Sequence, residues 1–238
     1  MTTALVLAAG GMWAAWEVGA WRVLRHRFQP DLIVGASAGA WVGWAIAGGC
    51  EPEELISLWL DPRIGGIMRF GIHRTGIFRP EALFEWAQDL FERFRPKIPF
   101  ALTLVELPFL RSRIVRDSEV TWRHLAAACA IPFGFPPVKI DGKRYVDGGL
   151  RAGLPLWAAE ELGASRAIAL NVLNTSIFRL LHRGLRGPRA SPALSVIRLE
   201  PSQSLGSLRD AVQWQPDNIR RWIALGERDA KQLSIPCE

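Results

Sequence analysis

The chain has 238 residues, 49% of them hydrophobic and 22% charged, with a formal net charge of +6. That length fits one large domain better than two, and the apolar share excludes a chain that stays disordered. The positive surplus is mostly arginine and spread along the sequence, which favours anionic partners such as phospholipid head groups; with no zinc-ligand spacing and no nucleic-acid module, nucleic acid is not an expected partner.

Residues 3–9, TALVLAA, form a short apolar run closed by two glycines. The run lacks the basic start of an export signal and predicts a strand buried on both faces. Helical spacing over 15–28 sets Trp21 and Leu24 on one side and arginines on the other. A second buried strand follows at 31–34, then a helix at 38–49 that Gly48 and Gly49 stop. Strand and helix in alternation predict a parallel α/β sheet.

Residues 51–99 have a different texture. A short helix at 52–60 leads into a glycine-rich, irregular stretch, and a helix at about 80–94 carries Pro80 in its first turn. The segment reads as a cap over one end of the sheet, and its glycines make it the part expected to move most. Strand character returns at 100–107 and 112–117. A small-residue helix at 121–130 precedes a hairpin at 138–149 built around Asp141-Gly142, a dipeptide preferred in type I′ turns. A helix at 154–162, a strand at 166–173, an arginine-rich segment, a strand at 194–200 and a helix at 217–233 complete a single domain, 1–238, without repeats. Cys50, Cys129 and Cys237 are widely spaced with no CxxC, so neither a disulfide framework nor a structural metal is expected, and a cytoplasmic setting is. No run reaches the roughly 18 uninterrupted apolar residues of a membrane span, so any membrane contact would be peripheral.

Gly35-Ala36-Ser37-Ala38-Gly39 stands where the second strand turns into its helix and fits G-x-S-x-G. A tight turn would explain the glycines. A nucleophile would explain them too, because such a turn holds its serine strained and needs small neighbours, and the helix that begins there aims N–H groups at the site. A serine nucleophile needs a base. His26, His73, His124 and His182 fall on a polar helix face, in the loose segment, at a helix start and among arginines, so each reads as a surface or packing residue; His182 alone follows a candidate acid in the order of an α/β-hydrolase triad. Asp147, in YVDGG, either opens a common turn or ends a strand that can lie beside the serine strand, with Gly148 and Gly149 permitting close approach. An aspartate gains basicity where water is excluded. Gly10, Gly11 and Met12, in the turn after the first strand, offer backbone N–H groups to an oxyanion at the same end of the sheet. With no P-loop lysine and no complete G-x-G-x-x-G, nucleotide binding is the weaker reading.

A glycine-rich loop, G-x-S-x-G and a distant D-G-G, in that order, resemble the patatin-like phospholipase family. ACAIPFGFPPVKIDGKRYVDGGL (128–150) is similar to the family's run into its catalytic aspartate, and PDNIRRWIALGERDA (216–230) to its closing helix. The resemblance spans most of the chain and is weakest at 60–120 and 175–192. It implies a three-layer α/β/α fold with a mainly parallel central sheet. It also implies hydrolysis of lipid carboxylic esters through an acyl-enzyme without calcium, other metal or cofactor, as in a phospholipase A, a lysophospholipase or a non-specific lipid acyl hydrolase. It assigns Ser37 and Asp147 as a dyad, Gly10, Gly11 and Met12 as an oxyanion hole, and Gly35, Gly39, Gly148 and Gly149 as motif glycines. The first loop departs from the family: Trp13 stands where arginine is usual and Ala14 where the last glycine is, and LRAG (150–153) replaces asparagine-like residues. Two further readings therefore stay open: a weakened or non-catalytic lipid-binding protein of the same fold, and an α/β-hydrolase esterase using His182. Trp13 and Trp41 are the candidates to line an acyl groove. Segment 176–189, with Ile177, Phe178, Leu180 and Leu181 among arginines, suits a peripheral helix on an anionic membrane and equally a surface helix of the fold.

Overall fold

Strand β1 (Thr3–Leu7) is buried along its whole length, and its side chains part company as a pleated strand requires: Leu5 and Leu7 enter one apolar core, Ala4 and Val6 another. This division organises the computed structural model, which describes residues 2–68, 70–73, 76–173 and 187–234. From β1 the chain runs through α1 (Ala14–Leu24), β2 (Leu32–Ala36), α2 (Ala38–Ala47), α3 (Pro52–Trp59), α4 (Pro62–Ile67), β3 (Phe70–His73), β4 (Gly76–Phe78) and α5 (Pro80–Arg93). It continues through β5 (Phe100–Leu107), β6 (Arg111–Arg116), α6 (Trp122–Ala128), β7 (Val138–Ile140), β8 (Lys143–Asp147), α7 (Leu156–Glu161), β9 (Arg166–Leu170), β10 (Ser195–Leu199), α8 (Leu208–Val212) and α9 (Pro216–Gln232).

The central sheet has the order β10-β9-β1-β2-β5-β8-β7, with β6 also paired to β5. Strands β10, β9, β1, β2 and β5 are parallel, while β6, β7 and β8 join antiparallel. Helices cover both faces: α7 packs with the Ala4–Val6 side, and α1, α2, α3, α5 and α9 with the Leu5–Leu7 side. The parallel strands are those the alternation of elements predicted, and the α/β/α arrangement with a mainly parallel sheet is the one the family resemblance implied.

Close contacts with α9 hold α1 in place. A Cβ added at Gly19 would lie 2.0 Å from the Ile223 carbonyl oxygen, and one at Gly226 would lie 2.0 Å from that of Trp16, so α1 and α9 touch backbone to backbone. Trp16 Nε1 donates to the buried Asp229 Oδ2 at 2.8 Å, so one buried polar group satisfies another. The predicted 138–149 hairpin is present, and Asp141 (φ 47°) and Gly142 (φ 77°) are both left-handed, as a type I′ turn demands.

The stretch expected to be irregular after residue 60 contains α4 and the β3–β4 hairpin. Asp61 opens α4 by accepting from the Arg63 N–H at 2.9 Å, with Pro62 in the first turn, a helix start the composition obscured because three glycines and a methionine follow within the next ten residues. In the 51–99 segment, Leu55, Leu58, Trp59, Trp86 and Leu90 enter the same core as α2. Trp44 of α2 stacks on Phe91 and meets Phe100 edge-on. The segment thus lies along α2, and it also reaches the turn that begins α2. Helix α8 was not expected. His182, Cys237 and residues 176–186 of the expected interfacial helix lie outside the described residues. Among the described residues, no helix is long and apolar enough to cross a membrane.

Candidate active site

Ser37 sits between β2 and α2 with φ 53° and ψ −133°, a left-handed backbone for a residue with a side chain. Such strain persists only where the surroundings enforce it. Here they do: a Cβ at Gly35 would fall 2.5 Å from the Gly39 carbonyl oxygen, and one at Gly39 would fall 2.4 Å from that of Ala8. The two motif glycines let α2 fold back on its own strand and let its first turn press against the end of β1. Gly39→Ala is therefore expected to lower stability by about 1–3 kcal/mol by overpacking, read as a lower urea midpoint at unchanged m-value.

Asp147 reaches the same point by a different route. Strand β6 occupies one edge of β5 from Ala101 to Glu106. Strands β2 and β8 must then share the other edge: β2 pairs with Phe100–Thr103, and β8 with Leu104–Leu107 running the opposite way. Their C-terminal ends meet head-on, Ala36 opposite Thr103 and Asp147 opposite Leu104. The serine and aspartate strands are thus end to end along β5 rather than side by side. Gly148 makes the junction possible, since a Cβ there would be 2.2 Å from the Thr103 carbonyl oxygen.

Ser37 Oγ donates to Asp147 Oδ2 at 2.6 Å, and Gly149 N–H donates to Asp147 Oδ1 at 2.7 Å. Both side chains are buried, with Ser37 4% and Asp147 5% exposed. Burial pushes the Asp147 carboxyl from its ordinary 3.8 up to about 7, against the opposing pull of the Ser37 and Gly149 hydrogen bonds. Burial is the larger effect because removing water disfavours the charged form more than two donors restore it. The carboxylate that accepts from the Ser37 hydroxyl is thus Asp147. His124 is occupied elsewhere, accepting at Nδ1 from the Thr121 N–H at the start of α6.

The loop after β1 passes through Gly10 and a short 3₁₀ turn, Gly11–Trp13, with Gly11 at φ 56°. The N–H of Ala8 donates to the buried Glu17 Oε1 at 2.7 Å, and that of Ala9 to the Gly153 carbonyl at 2.7 Å. Beyond these braces, no described backbone carbonyl accepts from the N–H of Gly10, Gly11 or Met12. Gly10 and Gly11 line a cavity of about 410 Å³ together with Ser37, Asp147 and Gly149, and its remaining wall is apolar, including Ile131, Leu150, Leu173, Leu208 and Val212. A narrow slot of about 20 Å³ on the other side of Ser37 is lined by Met12, Trp41, Trp59, Ile67, Met68 and Cys129. Burial pushes the Cys129 thiol well above its ordinary range, so it stands beside Ser37 as a neutral group.

Trp41 therefore lines a space next to Ser37, with its Nε1 anchored on the Leu125 carbonyl at 2.8 Å. Trp13 does not line either space. It is 1% exposed and belongs to the core, as does Ala14, because the 3₁₀ turn directs position 13 under α1 rather than toward the cavity. The two departures from the family loop thus lie behind the site. The cavity wall from α8 was missed by sequence reasoning, although Ser207 and Asp210 form a reciprocal helix-start pair that was there to be read.

The family model described as patatin-like phospholipase matches residues 5–160. Uncharacterized NTE family proteins of Mycobacterium tuberculosis and Mycobacterium bovis are each 26% identical over 188 residues, covering 71% of this chain and 48% of theirs. The chain thus spans about half the length of the curated relatives it matches. Among solved structures, VipD from Legionella pneumophila superposes with a TM-score of 0.59 at 10% identity, over 97% of this chain and 66% of that one, a likeness of fold.

Proposed function

The chain belongs to the patatin-like phospholipase family, and from that premise we propose that it hydrolyses carboxylic esters of lipids with Ser37 as nucleophile and Asp147 as its base. The observation that carries the reading is the 2.6 Å hydrogen bond between these two side chains, 110 residues apart, on the floor of an apolar cavity.

In the proposed reaction Asp147 Oδ2 takes the hydroxyl proton as Ser37 Oγ attacks the ester carbonyl carbon. The carbonyl oxygen becomes an oxyanion held by the N–H groups of Gly10, Gly11 and Met12, with the N-terminus of α2 adding a favourable field. Collapse of the tetrahedral intermediate expels the alcohol, which leaves with the proton from Asp147. Water then gives a proton to Asp147 and attacks acyl-Ser37; the fatty acid departs and the hydroxyl recovers its proton. An aspartate can serve as base here because burial brings it close to the working pH.

The test is hydrolysis of phospholipids, lysophospholipids and neutral acylglycerols by the purified protein in the presence of a calcium chelator, with Ser37→Ala as control. Turnover that the control loses supports the proposal; lipid binding without turnover would favour a non-catalytic member of the family. His182→Ala should leave turnover unchanged, and a loss there would favour the histidine-dependent mechanism. On a soluble ester, kcat/KM should rise with pH and level off, with its midpoint near 7, because only the deprotonated Asp147 accepts the Ser37 proton. A profile flat from pH 5 to 9 would contradict this assignment.

A further inference from the structure

Among the described residues, the large apolar side chains that stand exposed are Ile77, Phe109, Phe133, Leu208 and Val212. Exposed apolar residues scattered singly are ordinary, but each of these lines one cavity, adjoins a residue that does, or is joined by a hydrogen bond to a segment that borders it. Leu208 and Val212 of α8 line the mouth of the 410 Å³ cavity. Phe133 is 90% exposed and follows Pro132, a residue of the same cavity wall. The Ile77 N–H donates to the Phe133 carbonyl at 3.3 Å. Phe109, 73% exposed, sits in the β5–β6 turn, where the Leu110 carbonyl accepts from Arg151 Nη1 at 2.6 Å, next to the cavity residue Leu150.

The Phe133 loop holds its ring outward at a conformational disadvantage. Phe133 has φ 65°, a region that bulky side chains avoid, and the N–H groups of Gly134 and Phe135 both donate to the Ile131 carbonyl, at 3.0 and 2.9 Å. Phe135, two residues on, is fully buried. The same turn thus buries one phenyl ring and presents the other to solvent.

Positive charge accompanies the rim. The Arg111 guanidinium lies over the Phe109 ring at 5.4 Å, and Arg209 is exposed on α8 beside Leu208. The acidic residue of that helix, Asp210, is engaged by the Ser207 N–H and hydroxyl. We propose that this rim is a docking surface for an anionic phospholipid surface, with Phe109, Phe133 and Ile77 entering the acyl layer and Arg111 and Arg209 meeting head-group phosphates. The proposal rests on the lipid-ester reading of the site: a lipid drawn from a bilayer can then pass from acyl layer to apolar cavity wall without crossing water. A protein partner would also bury the phenyl rings, but would give no reason for the rim to run into a cavity that ends at Ser37.

The test uses the double variant Phe109→Ser/Phe133→Asn, in which asparagine tolerates the left-handed backbone at 133. Neither residue lines the cavity. Partition onto vesicles of phosphatidylcholine and phosphatidylglycerol is measured by co-sedimentation in the Ser37→Ala background, so that turnover cannot alter the vesicles. The double variant should lose about tenfold or more in partition. In the active background it should lose a similar factor in hydrolysis of vesicle lipid while hydrolysing a soluble short-chain ester at the unchanged rate, which also reports that it folds. Both proteins should bind pure phosphatidylcholine vesicles more weakly. Equal partition of Ser37→Ala and its double variant, or no partition of either, would overturn the docking surface, and the latter would point to a protein partner. Absence of soluble-ester hydrolysis in the wild type would instead remove the enzymatic reading, and the partition measurement would still judge the rim.

Discussion

Ser37→Ala is expected to bring ester turnover down to background, a loss on the order of 10³- to 10⁶-fold, and to abolish covalent labelling by a fluorophosphonate probe. The size of the effect follows from the arrangement of the site. In the proposed reaction the Oγ atom is the group that Asp147 deprotonates, its hydrogen-bond partner at 2.6 Å, and among the described residues no second hydroxyl lines the cavity, where the other groups are backbone and apolar side chains. Cys129 is no substitute nucleophile, because burial keeps its thiol protonated. Alanine is as disfavoured as serine at φ 53°, so the variant should not relax the turn and its fold should survive. Residual turnover above a tenth of wild type, or undiminished labelling, would exclude Ser37 as the nucleophile.

Asp147→Asn is expected to lower kcat by about 10²- to 10⁴-fold and at the same time to make the protein more stable at pH 8. The carboxyl binds its proton more tightly in the folded chain, where burial holds it at about 7, than in the unfolded chain, where it returns to about 3.8. Between those values the native state keeps a proton that the unfolded state has released, so stability falls as pH rises through that window. Above about pH 7 the whole penalty is present, on the order of a few kcal/mol at about 1.4 kcal/mol per pH unit. Asparagine has no charge to bury and avoids the penalty. Urea denaturation should therefore place the variant above wild type at pH 8 and bring the two together near pH 4. A variant less stable than wild type at pH 8, or a gap that does not close on acidification, would contradict a buried, pH-sensitive carboxylate at this position. Lower activity together with higher stability is the pattern of a group held for chemistry rather than for folding.

Much of the framework could be read locally. Short apolar runs followed by helical spacing announced β1, α1, β2 and α2, and Asp141-Gly142 announced its turn, because these signals lie within a few neighbouring residues. The glycines at 35 and 39 were readable for the same reason: what they avoid, the Gly39 and Ala8 carbonyls, belongs to the same strand–turn–helix and the strand alongside. Helices α4 and α8 were harder to see. Each is only six or five residues long, too short for an apolar period to repeat, and each is marked by its opening side chain alone, Asp61 or Ser207.

Composition and order along the chain determined a parallel α/β protein with a strained serine at one strand end and a D-G-G aspartate far downstream, since backbone propensity and burial periodicity act over short distances. Only the tertiary structure decided that β2 and β8 meet end to end on one edge of β5, that Trp13 goes into the core while Trp41 stays beside Ser37, and that α8 and the Phe133 loop edge the cavity. Those outcomes depend on which distant surfaces exclude water from one another. A side chain's neighbours in sequence carry no record of what will cover it in space.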